Sequence, residues 1–128
     1  PPSCLVLEVT ETGVVQDLEA AAAALDVLRG HGVRVALDDF GTGWSSLHRL
    51  TKMPVDEVKV DQAFVSGVGS DPGCDAVVRA VASLAAELSL RLVAEGVERP
   101  DQRARLLELG CRVGQGYLLG TPAPASEL

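Results

Sequence analysis

Short apolar runs alternate along the chain with stretches of helical periodicity. Leu5-Val6-Leu7-Glu8-Val9-Thr10-Glu11 reads as a strand that ends in acid. From Asp17 the apolar residues fall at helical spacing, Leu18, Ala22, Leu25 and Leu28, until Gly30-His31-Gly32 stops the helix. Residues 33–37, Val-Arg-Val-Ala-Leu, predict a second strand. A short helix from Ser45 to about Leu50 follows and is broken before Pro54. Val58-Lys59-Val60-Asp61 predicts a third strand. A loop with Gly67, Gly69 and Asp71-Pro72-Gly73 then leads to a longer helix, opened by Asp71 or Pro72, with Val77, Val81, Leu84, Ala85 and Leu88 on one face. Residues 90–94 predict a fourth strand, residues 100–109 a helix ended by Gly110, and Cys111-Arg112-Val113 a brief fifth strand. The tail, with Pro122 and Pro124, reads as loop.

Five strands alternating with four helices predict a parallel α/β architecture, because each parallel crossover needs a helix-sized connection. Every strand releases a polar residue at the same end. In a (β/α) barrel those ends converge on one mouth, which would bring Glu8, Asp38, Asp39, Lys59, Asp61, Glu95 and Gln115 together from distant parts of the chain.

Composition narrows the function. The 128 residues amount to one domain at most; 47% are hydrophobic, yet no apolar run is long enough to span a membrane. A net charge of −7 and four aromatic residues argue against a grip on long nucleic acid by phosphate neutralisation or base stacking. Cys4, Cys74 and Cys111 are odd in number and lack zinc-ligand spacing, which predicts reduced thiols in a cytoplasmic protein. No signal peptide is recognisable, and the start at Pro1-Pro2-Ser3 reads as a piece of something longer.

The densest chemistry lies in Leu37-Asp38-Asp39-Phe40-Gly41-Thr42-Gly43-Trp44-Ser45-Ser46-Leu47. Two carboxylates about 4 Å apart repel by roughly 4 kcal/mol at an effective dielectric of 20, so an adjacent pair is tolerated when solvated, protonated or bridged by a cation. A divalent metal is one answer; a solvated Asp-Asp turn capping the next helix is the other. Lys59 reads either as a surface cation or as an electrostatic centre among acids, and Asp61 either as its partner or as an N-cap. His31 and His48 lie near helix ends, outside the strand-end set, and read as surface residues.

Leu7-Glu8-Val9-Thr10-Glu11, residues 38–47, Lys59-Val60-Asp61, Ala94-Glu95-Gly96-Val97-Glu98 and Gly114-Gln115-Gly116-Tyr117 together resemble the EAL-domain family, bacterial phosphodiesterases that open cyclic di-GMP to linear pGpG on a TIM-like barrel. Trp44 stands where the family more often carries Tyr or Phe. The resemblance implies that Glu8 and Asp38 bind one metal, and that Asp38 bridges to a second completed by Asp39 and Glu95. The ions would be Mg²⁺ or Mn²⁺, two per intact site. It further implies that Lys59 orients and polarises water, that Asp61 supports Lys59 or a metal-bound water, and that Glu95 is the general base. Glu98 would support the loop or a water, Gln115 would bond a water or a substrate oxygen, and Glu11 would tie down the loop after Asp39.

The Glu-Ala-Leu signature and an Asn ligand of the family lie upstream of the matching segment, so residues 1–128 resemble the C-terminal half of such a domain, a partial barrel. A complete (β/α)₈ barrel takes roughly 250 residues. An isolated half is expected to leave inward-facing apolar residues such as Val35, Leu37, Val58 and Val60 without their opposite layer. It would then be a homo-oligomer, or part of a larger protein that supplies the missing half, with little or no turnover by itself. The alternative is a non-catalytic cyclic di-GMP receptor or protein-interaction module of the same lineage. An unrelated Mg²⁺-dependent barrel enzyme would leave the Gly41–Leu47 motif unexplained.

Overall fold

The computed structural model describes residues 1–10, 17–40 and 47–127. Five strands, β1 (Val6–Thr10), β2 (Arg34–Phe40), β3 (Glu57–Val60), β4 (Arg91–Ala94) and β5 (Val113–Gly114), form one sheet in the order β1-β2-β3-β4-β5, with every neighbouring pair parallel. Strand order that follows chain order, with a helix-sized connection at each step, is the arc of a (β/α) barrel left open at β1 and β5. The expected five-strand parallel architecture is therefore present.

The helices are α1 (Leu18–Gly30), α2 (Leu47–Lys52), α3 (Gln62–Val65), α4 (Pro72–Glu87) and α5 (Pro100–Glu108). Their starts follow local chemistry. The Asp17 carboxylate accepts the Ala20 N–H at 2.9 Å, and Asp71 accepts the Gly73 N–H at 2.8 Å ahead of Pro72. The single turn of α3 follows Asp61, where the sequence offers an N-cap. Four residues give no periodicity to detect, and its only signal is the cap, where the Asp61 carboxylate accepts the Ala63 N–H at 2.7 Å. Among the described residues two 3₁₀ turns, Pro2–Cys4 and Ala125–Glu127, lie outside the expected elements.

One expectation is reversed. Val35, Leu37, Val58 and Val60 do not lack an opposing layer: they are at most 4% exposed and pack with Leu25 of α1, Val78, Val81 and Ala85 of α4, and Leu92. They point to the helix-covered side of the sheet, where a buried valine contributes ~1.5–3 kcal/mol. Strand alternation then sends Arg34, Glu57, Lys59, Arg91 and Glu95 to the other side. The Glu57 carboxylate, 7% exposed, pairs there with Arg34 at 2.9 Å and Arg91 at 3.3 Å. That face also carries Ala36 and Val93, and among the described residues the exposed large apolar side chains include Leu5 beside β1, Val6 and Leu7 within it and Val113 on β5, besides Val27 and Leu28 on α1, Leu107 on α5 and Tyr117, Leu118 and Leu119 after β5.

Candidate active site

β2 is expected to end at Leu37 and instead continues to Phe40. Leu37 pairs with Val58 and Phe40 with Val60, so β2 spends one residue more than β3 between the same two rungs. This β-bulge is centred on Asp38 and Asp39, with Asp39 at φ +58°. Regular alternation would turn two successive side chains to opposite faces. The bulge, opened by a residue type that tolerates left-handed backbone, lets both carboxylates reach the same end of the sheet, and Asp38 Oδ1 also accepts the Asp39 N–H at 2.9 Å.

Glu95 joins them from the end of β4. One ligand atom each from Asp38, Asp39 and Glu95 lies within 4.8 Å of the others. The Lys59 Nζ, on a residue 2% exposed, donates to Glu8 Oε1 at 2.5 Å and pairs with Glu95 Oε1 at 2.6 Å. Gln115 Nε2 donates to the same Glu95 oxygen at 3.1 Å. Glu8, Lys59, Glu95 and Gln115 thus form a continuous polar line across the strand ends. Glu8 sits on the Lys59 ammonium, apart from the three-acid group. Asp61 caps α3 and lies against Asp39. Glu98 is exposed and lines, with Gln62, Gln115 and Tyr117, an open cleft of about 590 Å³. Glu11 and the motif residues 41–46 lie outside the described residues. His31 is an exposed surface residue whose Nδ1 lies 2.8 Å from the Val27 carbonyl oxygen, and His48 is exposed too.

The electrostatics show incomplete neutralisation. Asp39 is held above the usual carboxylate range by the neighbouring Asp38 charge, then by burial and Asp61. Burial pushes Glu95 up, with help from Asp38 and against the pull of Lys59. For Lys59, burial works to lower the pKa, but the bonds to Glu8 and Glu95 outweigh it and the ammonium is stabilised. Hard carboxylate oxygens gathered around too little positive charge suit Mg²⁺, Mn²⁺ or Ca²⁺. The donor set fits a divalent cation.

One structural residue of the site, Gln102, carries no assignment from the sequence, whereas the close backbone approach expected of the glycines flanking Gln115 is present at Gly116. Gln102, 2% exposed, accepts the N–H groups of Glu98 at 2.9 Å and Arg99 at 3.0 Å, which fixes the loop after Glu95. Its third-residue position after the start at Pro100 is where a capping glutamine belongs, and that signal was available. Gly116, at φ +152°, approaches Val97 so closely that a Cβ would lie 2.3 Å from the Val97 backbone nitrogen and oxygen. Only glycine allows Gln115 to be delivered there.

The EAL domain profile matches residues 1–122. The chain is 44% identical over 124 residues to the cyclic di-GMP phosphodiesterase RocR of Pseudomonas aeruginosa, covering 97% of this chain and 32% of RocR. Among solved structures, the MucR phosphodiesterase in complex with c-di-GMP superposes with a TM-score of 0.88 at 44% identity, over 98% of this chain and 51% of that one. Klebsiella pneumoniae BlrP1, in a manganese and cy-diGMP complex, gives 0.82 at 36% identity, over 91% of this chain and 30% of that one. The chain therefore spans about a third of RocR and about half of the solved MucR phosphodiesterase. Among the described residues no helix is long and apolar enough to cross a membrane.

Proposed function

The chain belongs to the EAL domain family, and we propose that it forms the C-terminal half of a barrel that hydrolyses cyclic di-GMP to linear pGpG with divalent cations. The observation that carries this reading is the convergence of Asp38, Asp39 and Glu95 on one point beside a buried Lys59. Asp38, Asp39 and Glu95 would hold one cation, Mg²⁺ or Mn²⁺, and Glu8 with Asp38 would hold a second. Bound there, the cations supply Lewis-acid polarisation of the phosphoryl oxygens and lower the pKa of water.

The chain's own groups do the rest. Glu95, held by Lys59 at 2.6 Å and by Gln115 at 3.1 Å, accepts the proton of the attacking water at its carboxylate. The Lys59 ammonium stands next to it and offsets negative charge developing on the phosphoryl oxygens. Asp61 keeps α3 in place and Gln115 orients the Glu95 carboxylate, while the cleft by Glu98 and Tyr117 receives the organic part of the substrate. The remaining half of the barrel supplies further ligands and covers the apolar edges at β1 and β5, in preference to a second copy of this chain. A second-messenger substrate supports a cytoplasmic location for the domain.

The test is hydrolysis of cyclic di-GMP by the full-length protein, followed by chromatography of pGpG. Turnover is expected with Mn²⁺ or Mg²⁺, and binding without turnover with Ca²⁺, a larger ion that is less demanding in geometry. Equal turnover in EDTA overturns the metal mechanism. Tight binding with no turnover in any metal identifies the receptor alternative.

A further inference from the structure

Three loops meet behind the acid group, and one buried amide joins two of them. The segment after β4 runs from Glu95 to Arg99, and α3 follows β3. Gln102 stands on the first turn of α5 with its Oε1 on the N–H groups of Glu98 and Arg99, at 2.9 and 3.0 Å, and its Nε2 3.4 Å from the Val65 carbonyl of α3. On the other side of the same segment, the Val97 N–H donates to the Gln115 carbonyl at 3.0 Å, and the Val97 carbonyl accepts the Leu118 N–H at 3.1 Å. The loop that starts at Glu95 is thus gripped from both flanks, by backbone from the β5 side and by Gln102 from the β3 side.

We propose that Gln102 is a positioning residue for the metal-binding carboxylates: its amide sets the placement of the Glu95 loop relative to the strand end that carries Lys59 and Asp61. The chemistry calls for an amide. One end must accept two backbone N–H groups and the other must donate to a carbonyl, and of the common side chains at this length only glutamine does both. Gln102 lies outside the acid group, so it acts through Glu95 and Glu98. A misplacement of about 1 Å at a reacting group costs about 10²-fold in rate, so a small loop shift is costly. The metal-binding consequence rests on the cation site proposed above, and the kinetic consequence rests on the hydrolase reading as well.

The experiment uses the full-length protein with Gln102→Leu, Gln102→Glu and the comparison variant Arg105→Met. Arg105→Met breaks the ion pair of α5 with Asp75, at 2.7 Å, without touching the Glu95 loop. Mn²⁺ affinity is measured by calorimetry below the unfolding temperature of every variant, with kcat and KM for cyclic di-GMP measured alongside. Gln102→Leu is expected to weaken Mn²⁺ binding about 10-fold or more and to lower kcat with little change in KM, as support groups around a metal do. Gln102→Glu keeps the acceptor but sets an oxygen against the Val65 carbonyl, and should show a smaller loss in the same direction. Arg105→Met should lower Tm and leave Mn²⁺ affinity unchanged. Hydrogen exchange on the wild type gives an arm that does not depend on variant folding: the Glu98 and Arg99 amides should be protected. Wild-type Mn²⁺ affinity in folded Gln102→Leu, or unprotected Glu98 and Arg99 amides, overturns the proposal. Absence of turnover in the wild type with normal metal binding counts against the hydrolase reading alone.

Discussion

β3 shows the contrast between the two faces of the sheet within four residues. Val58 and Val60, 1% and 0% exposed, point into the layer beneath α4, while Glu57 and Lys59, 7% and 2% exposed, point to the opposite face. Burial is nearly equal and the consequences are opposite. A buried valine needs only volume and contact, whereas a buried charge needs partners. Glu57 finds Arg34 and Arg91 near the start of the strands; Lys59 finds Glu8 and Glu95 at their ends. One face carries apolar packing and the other paired charges, and strand alternation keeps the two apart on the same backbone.

The sharpest break of that comparison is to mutate adjacent residues on opposite faces. In the full-length protein, Lys59→Ala is expected to lower kcat by about 10²–10³-fold, the effect of removing one preorganised electrostatic group. Substrate affinity at saturating Ca²⁺ should change little. Calorimetry showing loss of cyclic di-GMP binding with metal uptake intact would reassign Lys59 to substrate capture. Val58→Ala should do the reverse, costing about 2–3 kcal/mol of stability in denaturant unfolding while the Mn²⁺ affinity of the folded protein stays unchanged. Loss of metal affinity in Val58→Ala would mean the two faces are coupled.

Asp38→Ala is expected to weaken Mn²⁺ binding by about 10–100-fold without lowering the Tm of the metal-free protein, because it removes a charge that repels Asp39 and Glu95. A large fall in Tm would show that Asp38 is structural.

The smallest effects compare acids that titrate in opposite directions. For Asp56, burial works to raise the pKa, but the Arg29 guanidinium at 2.7 Å and the Val35 N–H outweigh it and hold the carboxyl below its usual range. A depressed carboxylate stabilises the fold above the unfolded value near 3.9 and loses that contribution as pH falls through the folded value. Asp56→Asn should therefore destabilise at pH 7, by roughly 1 kcal/mol or less for a partly exposed pair, and the difference should fade below about pH 3.9. Asp39 is raised, so its anion is a liability that disappears on protonation. Asp39→Asn in metal-free protein should raise Tm at pH 7, and the gain should vanish in acid. Thermal unfolding of both variants across pH checks the signs; equal signs would refute the division into stabilising and metal-seeking acids.

Hydrophobic periodicity by itself determined the five strands, four of the helices and their parallel order, because burial patterns of period 2 and 3.6 are local properties of the chain. It also placed Glu8, Asp38, Lys59, Glu95 and Gln115 at strand ends, since in a parallel α/β chain the polar residue after each apolar run emerges on one side. Tertiary structure alone decided which face each alternating residue takes. From the sequence Val35 and Val58 read as facing inward without a covering layer, whereas the helices packed on them put them on the other face, a choice made by the handedness of the crossovers and invisible within a single strand. The bulge at Asp38 and Asp39 depends on the register between β2 and β3, a relation between two segments, and only that extra residue turns both carboxylates to one point. Gln102 reaches the site by long-range contact: its bond to Val65 spans 37 residues, and no spacing within its own helix records it.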